Sequence, residues 1–264
     1  MLLTVDCGNT NIVFALYDGN QQLAHWRIST DSKRSGDEYF VWLTQLMILK
    51  KIEISAVTDV IMACVVPEVQ PKLVSFALRG FQLTPMIVGE SNVDLGIEIR
   101  IDRPDQAGAD RLVNAVAARE YHNLPAIVLD FGTATTLDLI GEGGTYEGGI
   151  IAPGVNLSVE ALYMAAARLP RLAVVPWSKN MPALGKDTVS AMHSGIFWGY
   201  VSMVQGLIKR LRTEIGADLP AIATGGLAPL FADHVPEISV VDPDLTLKGL
   251  VSIHRKNKRR AKIK

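Results

Sequence analysis

The chain contains one short pattern twice, as LLTVDCGNTNIVFALYDG at Leu2–Gly19 and as AIVLDFGTATTLDLIGEG at Ala126–Gly143. Each copy has an apolar run, an Asp, one further residue, a Gly, a pair of small residues and a second apolar run. The pattern predicts a strand ending near Asp6 or Asp130, a glycine turn that presents backbone N–H groups, and a returning strand. We therefore expect two similar halves that hold a polyphosphate and its metal ion in a cleft between them.

The composition is that of a soluble globular protein with a large core. The chain has 264 residues, 48% of them hydrophobic and 20% charged, which allows one large domain or two of about 130 residues. Its net charge of −1 gives no reason to expect nucleic acid or a membrane surface as a partner. The two cysteines, Cys7 and Cys64, are too few for a disulfide framework, and no apolar run reaches the roughly 18–20 residues of a membrane span. We expect a cytoplasmic protein.

Local patterns predict two α/β halves. Three short strands open each half: Leu2–Val5, Ile12–Tyr17 and Leu23–Ile28, then Ala126–Asp130, Thr135–Ile140 and Thr145–Ile151. Helical spacing predicts helices at Asp37–Lys50, Val69–Leu78, Asp105–Tyr121, Asn156–Arg168 and Thr188–Arg212. Further buried strands are predicted at Val57–Val66 and Ala221–Thr224. The basic tail His254–Lys264 is typical of a mobile, solvated end more than of a nucleic-acid arm.

The first turn, Asp6–Asn11, has the residues that a phosphate site needs. Gly8 lets a ligand approach the backbone closely, and Asn9 and Thr10 add side-chain donors beside the backbone N–H groups. Asp6 suits Mg²⁺, which favours one or two carboxylates plus substrate phosphates. An ordinary β-turn uses the same residue types, and it is the second copy at Asp130 that favours the phosphate site.

A third group, Gly108-Ala109-Asp110-Arg111, begins a predicted helix. Arg111 can bind a carboxylate or phosphate through two hydrogen bonds, and Asp110 can accept a proton from a hydroxyl. An acidic residue in a first helical turn also stabilises the helix dipole, and the sequence leaves both interpretations open. Gly225-Gly226 also allows two interpretations. The two glycines could let an adenine ring lie directly on the backbone, or they could form a tight strand-to-helix turn.

Several common site types are missing from the sequence. The five histidines show no metal-ligand spacing, and there is no Gly-x-Ser-x-Gly nucleophile elbow. There is also no Walker-type loop and no Gly-x-Gly-x-x-Gly. Nucleotide binding would therefore have to use the Asp-x-Gly turns.

Six short motifs in this order resemble those of type III pantothenate kinase. They are Asp6–Thr10, Gly108–Arg111, Asp130–Ala134, Gly148–Gly154, Leu184–Thr188 and Thr224–Gly226. The resemblance runs from the first residues to about Leu250. It implies the fold of the superfamily of acetate and sugar kinases, heat-shock chaperones and actin: α/β, with two ribonuclease-H-like halves, each a mixed sheet with flanking helices, around a central cleft. We expect the halves at 1–122 and 123–253, with a disordered tail at 254–264.

The resemblance also implies a reaction and a set of site residues. The family phosphorylates pantothenate to 4′-phosphopantothenate with ATP, the first step of coenzyme A biosynthesis, and Asp110 is implied as the general base. The implied ATP-binding residues are Asp6, Cys7, Gly8, Asn9, Thr10, Asn11, Ile12, Val13 and Thr133. The implied pantothenate-binding residues are Gly108, Ala109, Asp110, Arg111 and Thr188, the last reaching across the interface of a homodimer.

Two kinds of cation are implied by the resemblance. Mg²⁺ would accompany ATP at Asp6, and Asp130 would hold a monovalent cation, K⁺ or NH₄⁺. One position departs from the family: many members carry an aromatic residue three positions before the proline, where this chain has Ile101 ahead of Pro104.

Two rival functions fit the same fold. A relative could pass the phosphoryl group to a sugar, an acid or water, but Gly108–Arg111 favours a pocket for an organic substrate. A nucleotide-sensing regulator would be expected to lack catalytic carboxylates, whereas Asp6, Asp110 and Asp130 are all present.

Overall fold

The chain folds into two compact units. The structure, a computed structural model, describes residues 1–166, 169–178 and 181–263, with side chains described through residue 260. The first unit is Met1–His122 together with the segment that starts at Asp244, and the second unit is Asn123–Pro243. The predicted halves at 1–122 and 123–253 stay a prediction; in the structure the chain returns to the first unit at Asp244.

The elements follow one another in a repeated order. The first unit contains β1 (Leu2–Cys7), β2 (Asn11–Asp18), β3 (Gln21–Ser29), α1 (Gly36–Leu49), β4 (Asp59–Cys64), α2 (Gln70–Ser75), β5 (Met86–Ile87) and α3 (Ala109–Tyr121). The second unit contains β6 (Ala126–Phe131), β7 (Ala134–Ile140), β8 (Tyr146–Pro153), α4 (Val155–Ala165), α5 (Thr188–Ile215), β9 (Ala221–Thr224), α6 (Ala228–Ala232) and β10 (Ile238–Val241). The last helix, α7 (Leu245–Ile263), belongs to the first unit.

Each unit has a mixed five-stranded sheet with the same topology. The strand order is β3-β2-β1-β4-β5 in the first unit and, read in the same direction, β8-β7-β6-β9-β10 in the second. In both sheets the first strand pairs antiparallel with the second and parallel with the fourth. The fold prediction of two α/β halves, each with a mixed sheet and flanking helices, is confirmed. The central cleft stays a prediction.

Alternating side chains of the first sheet pack against different helices. On one face Leu3, Val5 and Cys7 of β1 join a cluster that also contains residues of α1 and α2. On the other face residues of α3 and α7 pack around Leu2 and Ala63. Because successive strand residues point to opposite faces, the sequence of β1 decides which helices cover which of its side chains.

The core of the second unit is rich in aromatic rings. Phe131 of β6 stacks on Phe231 of α6 with ring centroids 5.7 Å apart, and Tyr200 of α5 lies 4.6 Å from Phe231. Phe197 of α5 adds a further stacked contact with Phe231. These contacts hold the long helix α5 against the strand that carries Asp130.

The prediction of a disordered tail at 254–264 is wrong for the residues that the structure describes, because they continue α7. Leu247, Leu250 and Val251 are buried against the first sheet and α3. The basic side chains beyond them pair with carboxylates that are remote in sequence: Arg255 with Glu120, Lys258 with Asp59, and Lys256 and Arg260 with Asp94. Buried apolar residues and these pairs stabilise the helix.

Helix boundaries also differ from prediction, as two cases show. The helix predicted from Asp105 begins at Ala109, because Pro104–Gln106 forms a separate 3₁₀ turn and Gly108 is the N-cap. The helix predicted at Asn156–Arg168 is α4, Val155–Ala165, and Arg168 lies outside the described residues. Within the described part of the chain, no helix is both long and apolar enough to cross a membrane.

Candidate active site

The first Asp-x-Gly turn joins β1 to β2 and is tied down at its carbonyl groups. The N–H of Gly8 donates to the carbonyl of Asn11 over 3.0 Å. Thr30, the residue after β3, donates from its hydroxyl to the Gly8 carbonyl over 2.6 Å and from its N–H to the Thr10 carbonyl over 3.0 Å. The carbonyls on this side of the turn are thus occupied by the protein, while the side chains of Asn9 and Thr10 are exposed.

Glycine at the first turn is not required by the protein itself. A Cβ atom on Gly8 would lie 3.4 Å from its nearest neighbour, the Asn11 carbonyl oxygen, which is an ordinary contact. At the second turn a Cβ on Gly132 would lie 3.3 Å from the Ala134 carbonyl oxygen, a tight contact that would require a shift of a few tenths of an ångström. The first turn therefore has room for a side chain, and a ligand that approaches the backbone gives a reason for glycine there.

Asp6 and the start of α3 lie on the same face of the first sheet. Asp6 is the direct partner of Val13 across β1 and β2, so these two side chains point to the same face. Val13 packs against the cluster formed by α3 and α7, and so does Ala109, the first residue of α3. The fold thus brings the predicted phosphate turn and the predicted pantothenate segment to one face.

Asp110 occupies the first turn of α3 and is half-buried. Its Oδ1 accepts a hydrogen bond from the N–H of Arg111 over 2.8 Å. Burial raises the pKa of Asp110 above the ordinary value for Asp, although the Arg111 N–H and the Arg111 charge act in the opposite direction. A carboxylate with a raised pKa is a better proton acceptor than an exposed one.

Gly108 is required by the position of the Asp110 carboxylate. A Cβ atom at Gly108 would lie 2.6 Å from Oδ1 of Asp110, closer than non-bonded atoms approach. The next nearest atoms, in the Arg111 side chain, would be 3.7 Å away. Glycine at the N-cap therefore leaves the space into which Asp110 folds back over the helix start.

Cys7 and Cys64 meet behind the first turn. They are direct partners on the parallel strands β1 and β4, and Cys7 is buried while Cys64 is half-buried. The hydrogen bond that Cys7 donates to Cys64, together with burial, raises the pKa of Cys7. The same hydrogen bond lowers the pKa of Cys64, whose thiol also donates to the Val66 carbonyl over 3.3 Å.

The second Asp-x-Gly turn joins β6 to β7 and repeats the first with one residue fewer in its loop. The N–H of Gly132 donates to the carbonyl of Ala134 over 3.1 Å. Gly225, which follows β9, has φ +89° and packs so closely that a Cβ would lie 2.5 Å from Oδ1 of Asp130. The tight-turn interpretation of Gly225 is therefore supported, and its missing side chain leaves room for the Asp130 carboxylate.

Asp130 also influences a buried tyrosine. Tyr200 of α5 is hydrogen-bonded through its hydroxyl to Thr135, and its pKa is raised to about 12 by burial, with a further contribution from the Asp130 charge. Tyr200 therefore stays neutral beside the Asp130 carboxylate at physiological pH. Thr133, the predicted ATP contact in this turn, is exposed.

Thr188 is the first residue of α5 and its side chain is exposed. The N-cap is its neighbour Asp187, which forms a reciprocal capping box with Ser190: the Ser190 N–H donates to Asp187 Oδ1 over 2.9 Å. Because the cap is supplied by Asp187, the hydroxyl of Thr188 is not needed for that purpose. It remains available for a ligand.

The donor sets fit hard cations that share their coordination with a substrate. Among the described residues, no group of three or more His, Cys, Asp or Glu side chains is arranged to hold a metal ion. One carboxylate at each turn, Asp6 and Asp130, suits an ion that takes its remaining oxygen ligands from phosphates, water and backbone carbonyls.

Comparison with known proteins identifies the family. The family model described as type III pantothenate kinase matches residues 2–210. The chain belongs to the type III pantothenate kinase family. A type III pantothenate kinase from Paramagnetospirillum magneticum is 52% identical over 257 residues, which cover 97% of this chain and 98% of the relative. One from Rhodospirillum rubrum is 53% identical over 257 residues, covering 97% and 99%.

A solved structure has the same fold as this chain. Component A of (R)-2-hydroxyglutaryl-CoA dehydratase from Acidaminococcus fermentans superposes with a TM-score of 0.54. The match covers 98% of each chain at 14% sequence identity, and at that identity it speaks for the fold alone.

Three residues at the two turns were not singled out for the site by the sequence. Thr30 anchors the first turn, Tyr200 lies near Asp130, and Cys64 contacts Cys7. Each is remote in sequence from the turn that it supports. Cys64 lies within the strand predicted at Val57–Val66, but that pattern carried no signal for its pairing with Cys7.

Proposed function

We propose that this chain phosphorylates pantothenate to 4′-phosphopantothenate with ATP, the first step of coenzyme A biosynthesis, with Asp110 as the general base. One observation carries the assignment of the base: Asp110 is half-buried at the start of α3, on the sheet face to which Asp6 also points. A phosphate turn and a proton acceptor on one face are what a kinase needs.

The turn formed by residues 6–13 would bind the ATP phosphates. Packing of the protein does not require a glycine at Gly8. Thr30 anchors the turn through a backbone carbonyl, and the side chains of Asn9 and Thr10 are exposed. A turn whose carbonyls are already hydrogen-bonded can offer its remaining polar groups to an anion. Asp6 would hold Mg²⁺, which would supply positive charge to neutralise the phosphates.

Asp110 would accept the proton of the primary hydroxyl of pantothenate. Phosphoryl transfer passes through a loose transition state, so the protein mainly positions the reactants and the proton leaves late. The raised pKa of Asp110 favours that late transfer, since the carboxylate is a stronger acceptor than an aspartate in water. The Arg111 N–H and the glycine at Gly108 hold the carboxylate in place.

Arg111 and Thr188 would bind the rest of the substrate. Arg111 is half-buried in the first turn of α3, and its guanidinium suits the carboxylate of pantothenate because two parallel hydrogen bonds can form. Thr188 begins α5 with an exposed hydroxyl that the helix cap does not use. Gly108 and Ala109 would line the same pocket with their backbone.

In the second unit Asp130 would hold K⁺ or NH₄⁺ and Thr133 would contact ATP. Gly225 leaves space around the Asp130 carboxylate, and Tyr200 beside it stays neutral, so no second negative charge competes for the ion. Thr133 lies in the exposed turn that follows.

The assembly would be a homodimer built on the second unit. Helix α4 leaves Met164 76% exposed, and the segment before α5 leaves Leu184 78% exposed. Leu157, Tyr163 and Val189 are also exposed on α4 and α5, which pack against each other. Apolar side chains clustered in this way are typical of an interface. The cytoplasm, where ATP is made and free thiols persist, would be its compartment.

An acceptor test examines this function. ADP release is measured with ATP, Mg²⁺ and K⁺, first without an acceptor and then with pantothenate, a hexose or acetate. Release that depends on pantothenate, with 4′-phosphopantothenate as the product, is the expected result. Equal release without an acceptor would assign the chain to the ATPases, and release that depends on the hexose would assign it to the sugar kinases.

A further inference from the structure

Two thiols lie next to each other at the base of the first turn. Cys7 is the last residue of β1 and Cys64 is the last residue of β4, and the two are register partners. Both belong to the face of the sheet that α1 and α2 cover. The two side chains therefore lie side by side on adjacent strands and on one face of the sheet.

The spacing of the two residues fits a disulfide. Neighbouring strands lie about 4.7–4.9 Å apart, and disulfides join residues whose Cα atoms are about 4.4–6.8 Å apart. Because Cys7 and Cys64 are direct partners and end their strands, a bond between their sulfur atoms requires side-chain rotation and no change of register.

Access to the pair is unequal. Cys7 is 1% exposed, whereas Cys64 is half-buried and its thiol reaches the Val66 carbonyl in the segment after β4. A small oxidant coming from solvent therefore meets Cys64 first. Cys7 is then placed to react with the oxidised sulfur.

We propose that Cys64 is an oxidation site at which a hydroperoxide forms a reversible Cys64–Cys7 disulfide that prevents ATP binding. In the first step the Cys64 sulfur takes one oxygen from hydrogen peroxide, the O–O bond breaks, and a sulfenic acid and one water result. In the second step the Cys7 sulfur attacks the Cys64 sulfur, the S–O bond breaks, and a second water leaves. The two thiols lose two electrons and two protons, and the peroxide is reduced to water.

The disulfide acts on the turn through the backbone of Cys7. The Cys7 carbonyl accepts a hydrogen bond from Val65 over 3.0 Å, and Gly8 follows it directly in the turn. The covalent bond to Cys64 would restrain the Cys7 backbone, and with it the peptide groups that lead into Asn9 and Thr10. The loss of ATP binding rests on the proposed function, whereas formation of the disulfide does not.

The experiment uses the full chain, reduced and then treated with hydrogen peroxide. Remaining thiols are alkylated and counted by intact mass, non-reducing electrophoresis shows whether chains are cross-linked, and ATP binding is measured by calorimetry. We expect both thiols to be lost within one chain, ATP binding to be lost with them, and dithiothreitol to restore both. The Cys64→Ser variant keeps a donor for the Val66 carbonyl and should bind ATP before and after peroxide. Cys64→Ala replaces it if the serine variant does not fold.

Three results would overturn the proposal. They are two thiols that survive peroxide, a disulfide that links separate chains, and an intrachain disulfide that leaves ATP affinity unchanged. A reduced chain that fails to bind ATP would instead contradict the proposed function, and the thiol count would still decide whether Cys64 and Cys7 form the disulfide.

Discussion

The N–H of Arg111 donates a hydrogen bond to Oδ1 of Asp110 over 2.8 Å, within the first turn of α3. The bond places the carboxylate over the start of the helix, in the space that a side chain at Gly108 would fill. An acidic residue at this position also favours the helix dipole. The predictions below separate a catalytic Asp110 from one that only stabilises its helix.

Replacement of Gly108 by Ala should lower kcat with little effect on ATP affinity. The added Cβ would lie 2.6 Å from Asp110 Oδ1 and displace it, and a misplacement of about 1 Å can cost about 100-fold in rate. Steady-state kinetics and ATP titration measure the two effects. Gly206→Ala is the control, because a Cβ there meets nothing within 4 Å. Equal rates for Gly108→Ala and the wild type would show that the carboxylate position does not matter.

Asp110→Asn should raise the free energy of unfolding at neutral pH. The pKa of Asp110 is higher in the folded chain than in the unfolded one, so the wild type is stabilised at acid pH and loses that stability as the pH rises through the folded pKa. Asn never ionises, and the stability gained by the variant should shrink as the pH falls towards the ordinary pKa of Asp. Denaturant titrations between pH 4 and pH 8 measure it.

Asp37 provides a matched control for that experiment. It occupies the same position in α1 that Asp110 occupies in α3, two residues after the N-cap, and it is exposed. Asp37→Asn should lower stability at neutral pH by about 0.3–1 kcal/mol, as expected for a dipole partner. If Asp110→Asn and Asp37→Asn changed the free energy of unfolding in the same direction, that result would contradict the burial of an ionised Asp110.

Activity should require K⁺ or NH₄⁺, and Asp130→Asn should abolish that activation. The Asp130 carboxylate is the charged ligand in the proposed site, so its replacement by the neutral amide of Asn should weaken cation binding. Initial rates are measured against K⁺, NH₄⁺ and Na⁺ at constant ionic strength. Asp218→Asn, at an exposed carboxylate of the same unit, should keep the wild-type response. Full activity of the wild type in sodium alone would refute the assignment of Asp130.

Met164→Glu should convert the proposed dimer to a monomer. A charge at this exposed position of α4 would have to be buried in the proposed interface, at an energetic cost. Sedimentation or light scattering measures the mass. Leu49→Glu is the control, since Leu49 on α1 is 79% exposed, similar to Met164 at 76%. A Met164→Glu variant that remains dimeric would place the interface elsewhere.

The repeated halves could be predicted because their signals are local. Alternating apolar residues around Asp6 and Asp130 determine the strands, and the glycine turns follow from a few adjacent residues. The existence of α3 was predicted as well, but its start was placed too early, at Asp105 instead of Ala109.

The parts that could not be predicted depend on contacts between residues remote in sequence. The charge of residues 254–260 suggests a solvated tail, but partners such as Glu120 and Asp94 neutralise it. The anchor from Thr30 to Gly8 has no local signal either. The raised pKa of Asp110 has no local signal, because it arises from packing that removes the carboxylate from water.

The most direct test of the account compares phosphopantothenate formation by the wild type, Asp110→Asn and Asp37→Asn, with ATP affinity measured on the same samples. If Asp110 is the general base, kcat of Asp110→Asn falls by about 10²–10⁴-fold, its affinity for ATP stays close to that of the wild type, and Asp37→Asn keeps normal turnover. Near-normal turnover by Asp110→Asn would contradict the central claim.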